Sequence, residues 1–129
     1  HTIDVNEELE EMNTRYFKKA GLEHQVVQHI GDASKLIPEL KLEIDLAFID
    51  ADKKNYPLYF DLLIDKIKPG GWIIADNVLW SGKVIEEIDK GDKATLALLA
   101  YNRKVQLDSR VENLLLPLRD GLMICRKKE

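Results

Sequence analysis

The sequence is poor in residues that could build a covalent or metal-thiolate framework. It has a single cysteine, Cys125, among 129 residues, which excludes an internal disulfide and a zinc site built from cysteines. No apolar run approaches the roughly 18 residues that a transmembrane helix needs, and no signal peptide is recognisable. We therefore expect a protein of a reducing compartment, the cytoplasm, in which Cys125 is a small buried side chain.

The chain also lacks an excess of positive charge. It has 19 Lys and Arg against 23 Asp and Glu, a net charge of −4, so neither a nucleic acid nor an anionic membrane is an expected partner. Its 45% hydrophobic and 33% charged residues are ordinary for a globular protein. A chain of this length supplies one core, and we expect a single domain over residues 1–129.

A glycine-rich phosphate loop is also absent. Neither G-x-G-x-x-G nor a P-loop occurs. The sequence begins with His1 rather than Met, and residues 1–4 have the pattern of the end of a strand. Either the domain binds no nucleotide or its glycine turn precedes His1, and we expect that the start of the protein is missing.

Strand and helix patterns alternate along the chain. Alternation of this kind predicts a parallel sheet with helices on both faces, and the short turn at residues 117–120 makes the last strand antiparallel to its predecessor. Residues 78–91 are predicted as a long loop. The first predicted strand ends at Asp4. The further strands are predicted over residues 25–30, 44–49, 72–75, 110–116 and 121–126. The helices are predicted to begin near Asn6, Asp32, Asn55 and Asp92.

Two short apolar runs lead directly into polar residues. Residues 46–49 precede Asp50, and residues 72–75 precede Asp76 and Asn77. Short, unbroken apolar runs are typical of parallel strands buried on both faces, and the carboxyl ends of such strands form the ligand-binding edge of a sheet. We expect these three polar side chains side by side, where their oxygen atoms would suit Mg²⁺ or Ca²⁺. The competing interpretation is that the acids only cap loops and helices.

Four further residues are candidates on position alone. Lys53 follows Asp50 by three residues and is a candidate base, and Trp80 could either line a planar substrate or pack beneath its loop. Asp4 and Asp32 end two other strands, where an acid can bind ribose hydroxyls but can equally cap a helix. A phospho-receiver domain has a similar acidic edge, but the helix–strand–strand ending of this chain does not fit it.

Several stretches resemble the caffeoyl-CoA and catechol O-methyltransferase family. They are FIDADKKNY at residues 48–56, PGG at 69–71, DNVLWSG at 76–82, and the ending DSRVE through LLPL, DGL and CR within residues 108–126. The similarity extends along essentially the whole chain in order. The spelling DADK is similar to the plant and bacterial caffeoyl-CoA branch rather than to the animal catechol enzymes.

The resemblance implies a Rossmann-like sheet that supports methyl transfer from S-adenosylmethionine to a hydroxyl of a small, catechol-like or phenolic acceptor. By motif position, Asp50, Asp76 and Asn77 are expected to bind a divalent metal, Mg²⁺ or Ca²⁺. Lys53 is expected to be the catalytic residue beside the acceptor, with Trp80 bordering it. The residues that the resemblance implies for cofactor binding are Asp4 at the ribose, Asp32 and Ala33 at the adenine, and Asp50, Asp52 and Tyr59.

Members of that family carry an additional N-terminal portion, with helices that help to build a dimer and a central first strand with a glycine-bearing cofactor loop. The sequence has neither, so the expected fold is the mostly parallel methyltransferase sheet without its N-terminal helices and first strand. The full-length protein is expected to be a homodimer that acts on a small molecule. The alternative function is a non-catalytic fragment or pseudoenzyme that serves as a binding module.

Overall fold

A computed structural model describes all 129 residues of the chain. The chain forms two compact units, His1–Lys41 and Leu42–Glu129. Each unit has its own sheet, with two strands in the first and four in the second. The expectation of a single domain stays a prediction.

The first unit pairs two short parallel strands. The second strand is shorter than the predicted residues 25–30, because the amides of Gln25 and Val26 donate to the Leu22 carbonyl and form a turn instead. Gly21 follows the first helix with a φ of +69°, the left-handed conformation that ends helices. In chain order, the elements are β1 (Thr2–Asp4), α1 (Leu9–Lys19), β2 (Gln28–Ile30) and α2 (Ala33–Glu39).

The second unit is a mixed sheet in which three of the four strands run in one direction and the last strand runs antiparallel to them, as predicted. Its strands lie in the order β3-β4-β6-β5; β3 and β4 are parallel, and β6 is antiparallel to both of its neighbours. The elements are β3 (Ile44–Ile49), a 3-10 turn (Lys53–Asn55), α3 (Tyr56–Ile64), β4 (Ile67–Ala75), a kinked 3-10 segment (Trp80–Ile85), α4 (Lys93–Leu107), β5 (Val111–Leu116) and β6 (Leu122–Lys127).

The expectation that β3 is buried on both faces was wrong. Leu46 and Phe48 are 55% and 57% exposed, whereas Ile49 is 4% exposed. The strand lies at the edge of the four-stranded sheet, and α3 and α4 contact the sheet on the side that carries Ile49 and Cys125. The apolar run therefore predicted the strand correctly, but the prediction that both of its faces are buried was too strong.

The start of β4 was also predicted incorrectly. The strand begins at Ile67 rather than Trp72 and runs through the Pro-Gly-Gly stretch, which forms a bulge where the register with β3 shifts. Gly71 is required there, because a Cβ atom would lie 2.8 Å from the Asp45 carbonyl oxygen. Proline and glycine in a strand thus mark a bulge, and α3 has already ended at Ile64.

The C-terminal part agrees with its pattern. Asp92 caps α4 by accepting a hydrogen bond from the Thr95 amide, and the two last strands form an antiparallel pair. Cys125 is buried, and burial raises the pKa of its thiol to about 12, which confirms it as a packing residue. None of the helices is both long and apolar enough to span a bilayer.

Candidate active site

The carboxyl ends of β3 and β4 bring the polar residues of two motifs together. Ile49 and Ala75 are paired across the two parallel strands, and the Asp76 amide donates to the Ile49 carbonyl at 3.0 Å. Asp50 and the Asp76-Asn77 pair therefore leave the sheet at the same edge. The edge is the place at which open α/β sheets bind ligands.

Lys53 lies at the centre of this edge. Its Nζ atom donates to Asn77 Oδ1 at 2.8 Å, to Asp50 Oδ1 at 3.2 Å and to the Tyr56 hydroxyl at 2.5 Å. The Lys53 side chain is only 9% exposed, whereas that of Asp50 is 58% exposed. An ammonium has three donors, and here each has an oxygen acceptor, so the largely buried charge is fully compensated.

Two aromatic rings flank the same ammonium. Lys53 Nζ lies 4.7 Å from the ring centroid of Tyr56 and 5.9 Å from that of Trp80. Both distances are within the range of cation–π attraction. Trp80 is therefore beside Lys53, in a position from which its ring can border a planar molecule bound at the edge.

Tyr56 is a further residue of the site, one that was not among the residues predicted from the sequence. It is fully buried, and its hydroxyl lies 3.0 Å from the Asp76 carbonyl oxygen and 3.3 Å from that of Ile49. Burial, followed by the negative charge of Asp50, raises the pKa of Tyr56 well above its usual value, so the phenol keeps its proton. The available signal was its spacing of three residues from Lys53, which places both side chains on one side of a helical turn.

The loop after β4 has an unusual backbone. Asn77, Trp80 and Ser81 have φ values of 60°, 50° and 54°, which are uncommon for residues other than glycine. Strain of this kind persists where the surroundings fix the backbone, often at functional sites. Residues 78–91, predicted as a long loop, therefore include a constrained 3-10 segment.

The turn between β5 and β6 holds that loop in place. Gly121 accepts a hydrogen bond from the Val78 amide at 3.1 Å, Asp120 accepts one from the Leu79 amide at 2.9 Å, and an Asp120 carboxylate oxygen accepts a third from Ser81. Gly121 has a φ of +82°, and a Cβ atom there would lie 2.5 Å from Leu79 Cγ. No local sequence pattern connects the two segments, so this support could not be predicted from the sequence.

Asp52 and Tyr59, both expected at the cofactor, bond to each other. The Tyr59 hydroxyl donates to Asp52 Oδ1 at 2.5 Å, and Asn55 Nδ2 donates to Asp52 Oδ2 at 2.8 Å. Asn55 occupies the N-cap position of α3 but makes no side-chain capping bond, since its amide group is directed to Asp52. The ordered carboxylate of Asp52 is available to a ligand on its exposed side.

The remaining cofactor candidates, Asp4, Asp32 and Ala33, lie in the first unit. Asp4 ends β1 and accepts a hydrogen bond from the Asn6 amide at 2.9 Å. Asp32 caps α2, of which Ala33 is the first residue. The hydroxyl and amide of Ser34 donate to Asp32 and lower its pKa. Asp4 thus stabilises the turn after β1 and Asp32 caps a helix, and their roles toward a cofactor stay predictions.

The donor set for a metal consists of oxygen atoms only. The structure contains no cluster of three or more His, Cys, Asp or Glu side chains; the candidates are the carboxylates of Asp50 and Asp76 and the amide oxygen of Asn77. The Lys53 ammonium donates hydrogen bonds to two of these three groups, Asp50 and Asn77. The edge therefore accommodates a positive charge. Oxygen donors of this kind suit a hard cation such as Mg²⁺ or Ca²⁺, and the roles of Asp50, Asp76 and Asn77 as its ligands stay a prediction.

Comparison of the sequence with known proteins assigns the chain to a family. The sequence profile of an O-methyltransferase family matches residues 1–128. The chain belongs to the O-methyltransferase family. The family resemblance read from the motifs is thereby confirmed.

Individual relatives agree with this assignment. The chain is 35% identical over 136 residues to the caffeoyl-CoA O-methyltransferase of Medicago sativa, with 97% of this chain and 55% of that protein covered. The O-methyltransferase TomG from Streptomyces achromogenes, solved in complex with SAM, superposes with a TM-score of 0.92 at 25% identity, over 99% of this chain and 61% of that one. An O-methyltransferase from Bacillus cereus in complex with SAH gives a TM-score of 0.90 at 25% identity, over 98% and 61%.

The chain matches only part of the length of its relatives. The chain spans about half the length of the Medicago protein that it matches, while nearly all of its own residues superpose on the Streptomyces structure. The fold is therefore that of the Rossmann-like family domain, mostly parallel with an antiparallel C-terminal strand. The chain corresponds to a part of the relatives' sequences.

Proposed function

We propose that the protein containing this chain transfers a methyl group from S-adenosylmethionine to a hydroxyl of a small, catechol-like or phenolic acceptor. The observation that carries the proposal is the convergence of Lys53, Asp50 and Asn77 at the ends of two adjacent parallel strands, in a chain of the O-methyltransferase family. The complex of the Streptomyces relative with SAM supports the choice of cofactor.

The chemistry of the site residues fits this reaction. When bound, S-adenosylmethionine would supply an activated methyl group, and a divalent cation held by Asp50, Asp76 and Asn77 would lower the pKa of the acceptor hydroxyl. Lys53 directs its ammonium toward the acceptor oxygen and stabilises the oxyanion that remains when the hydroxyl proton passes to solvent. That oxygen then bonds to the methyl carbon as S-adenosylhomocysteine leaves. The three oxygen acceptors of the Lys53 ammonium favour this electrostatic role over that of a base.

The acceptor and cofactor are assigned to different groups of residues. Trp80 borders the acceptor ring and Lys53 contacts its hydroxyl, and both lie at the same strand edge. A planar acceptor with two neighbouring oxygens suits an aromatic wall next to oxygen ligands that leave metal positions open. The residues proposed to bind the cofactor are Asp4, Asp32, Ala33, Asp50, Asp52 and Tyr59.

The test is a methyl-transfer assay on the protein expressed from its complete reading frame. S-adenosylmethionine with a labelled methyl group is supplied together with Mg²⁺ and a panel of catechols and matched phenols that lack one hydroxyl. We expect label in the catechols, a much lower rate with the matched phenols, and loss of transfer on addition of a chelator. Transfer that is unaffected by excess chelator would contradict the metal role, and absence of transfer to every acceptor would contradict the proposal.

The alternative is a binding module that transfers nothing. It is favoured by one specific feature, the lack of a glycine-rich phosphate loop in the sequence. Titration calorimetry with S-adenosylhomocysteine separates the two functions. Binding is expected for the enzyme, whereas a protein that binds Mg²⁺ but neither the cofactor product nor a catechol would support the module.

We further propose that the enzyme is a homodimer of the cytoplasm with a small molecule as its partner. The negative net charge of the chain supports the expectation that neither nucleic acid nor an anionic membrane is bound. Sedimentation of the full-length protein tests the dimer, since a concentration-independent monomer mass would exclude it.

A further inference from the structure

Tyr56 differs from the two other acceptors around Lys53. Asp50 and Asn77 are candidate metal ligands, whereas the Tyr56 hydroxyl contacts the Lys53 ammonium without belonging to the metal set. We propose that Tyr56 is a positioning residue that holds the Lys53 ammonium at the acceptor hydroxyl during methyl transfer. The inference rests on the proposed function and assigns a further residue to its site.

The position of the Tyr56 oxygen is fixed by its surroundings. The side chain is fully buried, and its ring meets that of Tyr101 edge to face with 5.6 Å between centroids. Its hydroxyl is within hydrogen-bond distance of the backbone carbonyls of Ile49 and Asp76. Ile49 is the last residue of β3, and Asp76 is the first residue after β4. The oxygen is therefore tied to the ends of both strands that build the site.

The polarity of the hydrogen bonds is also determined. A phenol has one proton, and carbonyl oxygens can only accept, so the Tyr56 hydroxyl donates to a carbonyl and presents a lone pair to Lys53. The Lys53 ammonium therefore donates to Tyr56 and cannot exchange roles with it. A lysine side chain has four flexible carbons, and this contact restricts the arc on which its charge can lie.

The consequence follows from the other two acceptors. Asp50 and Asn77 would direct their side-chain oxygens to a cation when one is bound. The Tyr56 hydroxyl would then be the acceptor that keeps its hydrogen bond from the Lys53 ammonium. Loss of the Tyr56 hydroxyl should leave cofactor and acceptor contacts in place but allow the ammonium to shift. A shift of about 1 Å in a reacting group can reduce a rate by roughly 100-fold.

The experiment compares four variants of the protein expressed from its complete reading frame: Tyr56→Phe, Lys53→Met, the double variant and Tyr101→Phe. Phenylalanine keeps the buried ring of Tyr56 and removes only its oxygen. Tyr101→Phe is the matched control, because Tyr101 is equally buried in the same ring cluster. The measurements are kcat, the KM values for S-adenosylmethionine and a catechol, and the acylation rate of Lys53 followed by mass spectrometry.

We expect Tyr56→Phe to lower kcat by roughly 10- to 100-fold with both KM values within about twofold of the wild type, and to change the acylation rate of Lys53. The effect should be absent in the Lys53→Met background, because residues that act as a unit are not additive. Tyr101→Phe should change neither kcat nor the acylation of Lys53.

Two results overturn the inference while leaving the proposed function intact: a kcat for Tyr56→Phe equal to that of the Tyr101→Phe control, and fully additive losses in the double variant. A wild type that transfers no methyl group to any catechol overturns the proposed function and, with it, the catalytic role of Tyr56. In that case, the acylation rates still report separately whether Tyr56 holds Lys53. The two failures are therefore distinguishable.

Discussion

The Nζ atom of Lys53 lies 2.8 Å from Oδ1 of Asn77, although the two residues are 24 positions apart in the sequence. The amide oxygen of Asn77 is one of the candidate metal ligands, so the ammonium and a divalent cation bound there would compete for the same atom. We expect Lys53→Met to tighten Mg²⁺ binding by roughly tenfold, about 1.4 kcal/mol, measured by titration calorimetry. Lys68→Met is the control, since Lys68 pairs with the exposed Asp45. Unchanged or weaker Mg²⁺ binding in Lys53→Met would show that no competition exists.

Asp76→Ala tests the proposed metal set directly. Asp76 follows β4 beside Asn77, and its carboxylate accepts a hydrogen bond from the Asn77 amide at 2.7 Å, so the change removes a ligand and loosens its neighbour. Because groups that merely support a ligand contribute 10- to 100-fold, we expect loss of the ligand itself to reduce Mg²⁺-dependent transfer by at least about 100-fold. Asp45→Ala, on the exposed part of β3, should retain activity. A fully active Asp76→Ala variant would be incompatible with the proposed metal set.

Gly121→Ala and Gly21→Ala form a matched pair. Both glycines have a left-handed φ, +82° and +69°, but an added Cβ atom would lie 2.5 Å from Leu79 Cγ at Gly121, whereas nothing lies within 4 Å at Gly21. We expect losses in the free energy of unfolding of about 1–2 kcal/mol for Gly21→Ala, from backbone strain alone, and about 2–4 kcal/mol for Gly121→Ala, from strain and overpacking together. Urea denaturation of the full-length protein measures both losses. Equal losses would mean that the turn at Gly121 adapts without displacing the site loop.

Asp92 predicts a defined dependence of stability on pH. Its pKa lies below the usual 3.8 because the Thr95 amide and hydroxyl donate to its carboxylate. A pKa lowered by folding contributes stability that is present above pH 3.8 and is lost as the pH falls through the folded-state value. We expect Asp92→Asn, which can still accept the Thr95 amide bond, to flatten the acid side of the stability curve. Asp92→Ala should lower stability at neutral pH as well, because it also removes the cap.

These pH curves are measured by urea denaturation between about pH 2 and 7, the interval that spans protonation of a carboxylate. Lys83 faces Asp92 from the preceding loop at 3.8 Å, so Lys83→Met is included to show how much of the pKa shift comes from that charge. An Asp92→Asn curve parallel to the wild type would assign the acid sensitivity to other carboxylates, such as Asp108, whose pKa is lowered by a hydrogen bond from Arg110.

Local pattern predicted much of the fold. The alternation of strands and helices, the caps at Asp32 and Asp92, and the antiparallel C-terminal pair all follow from residue spacing and capping chemistry, and the structure has them. The errors occur where burial depends on neighbours. Leu46 and Phe48 belong to a typical buried run but lie on the uncovered side of an edge strand, a fact that depends on where the helices pack.

The same division applies to the candidate site. The sequence determined which groups stand at the strand ends, because an apolar run that stops at a carboxylate sets the position of Asp50 and Asp76 on the backbone. Only the tertiary structure decided that Lys53 reaches Asn77, that Tyr56 ties both strand ends to that lysine, and that Gly121 supports the loop of Trp80. Contacts within one helical turn depend on the local backbone conformation, which neighbouring residues in the sequence specify. Contacts between strands depend on register, on helix packing and on the left-handed loop backbone, which no single segment specifies alone.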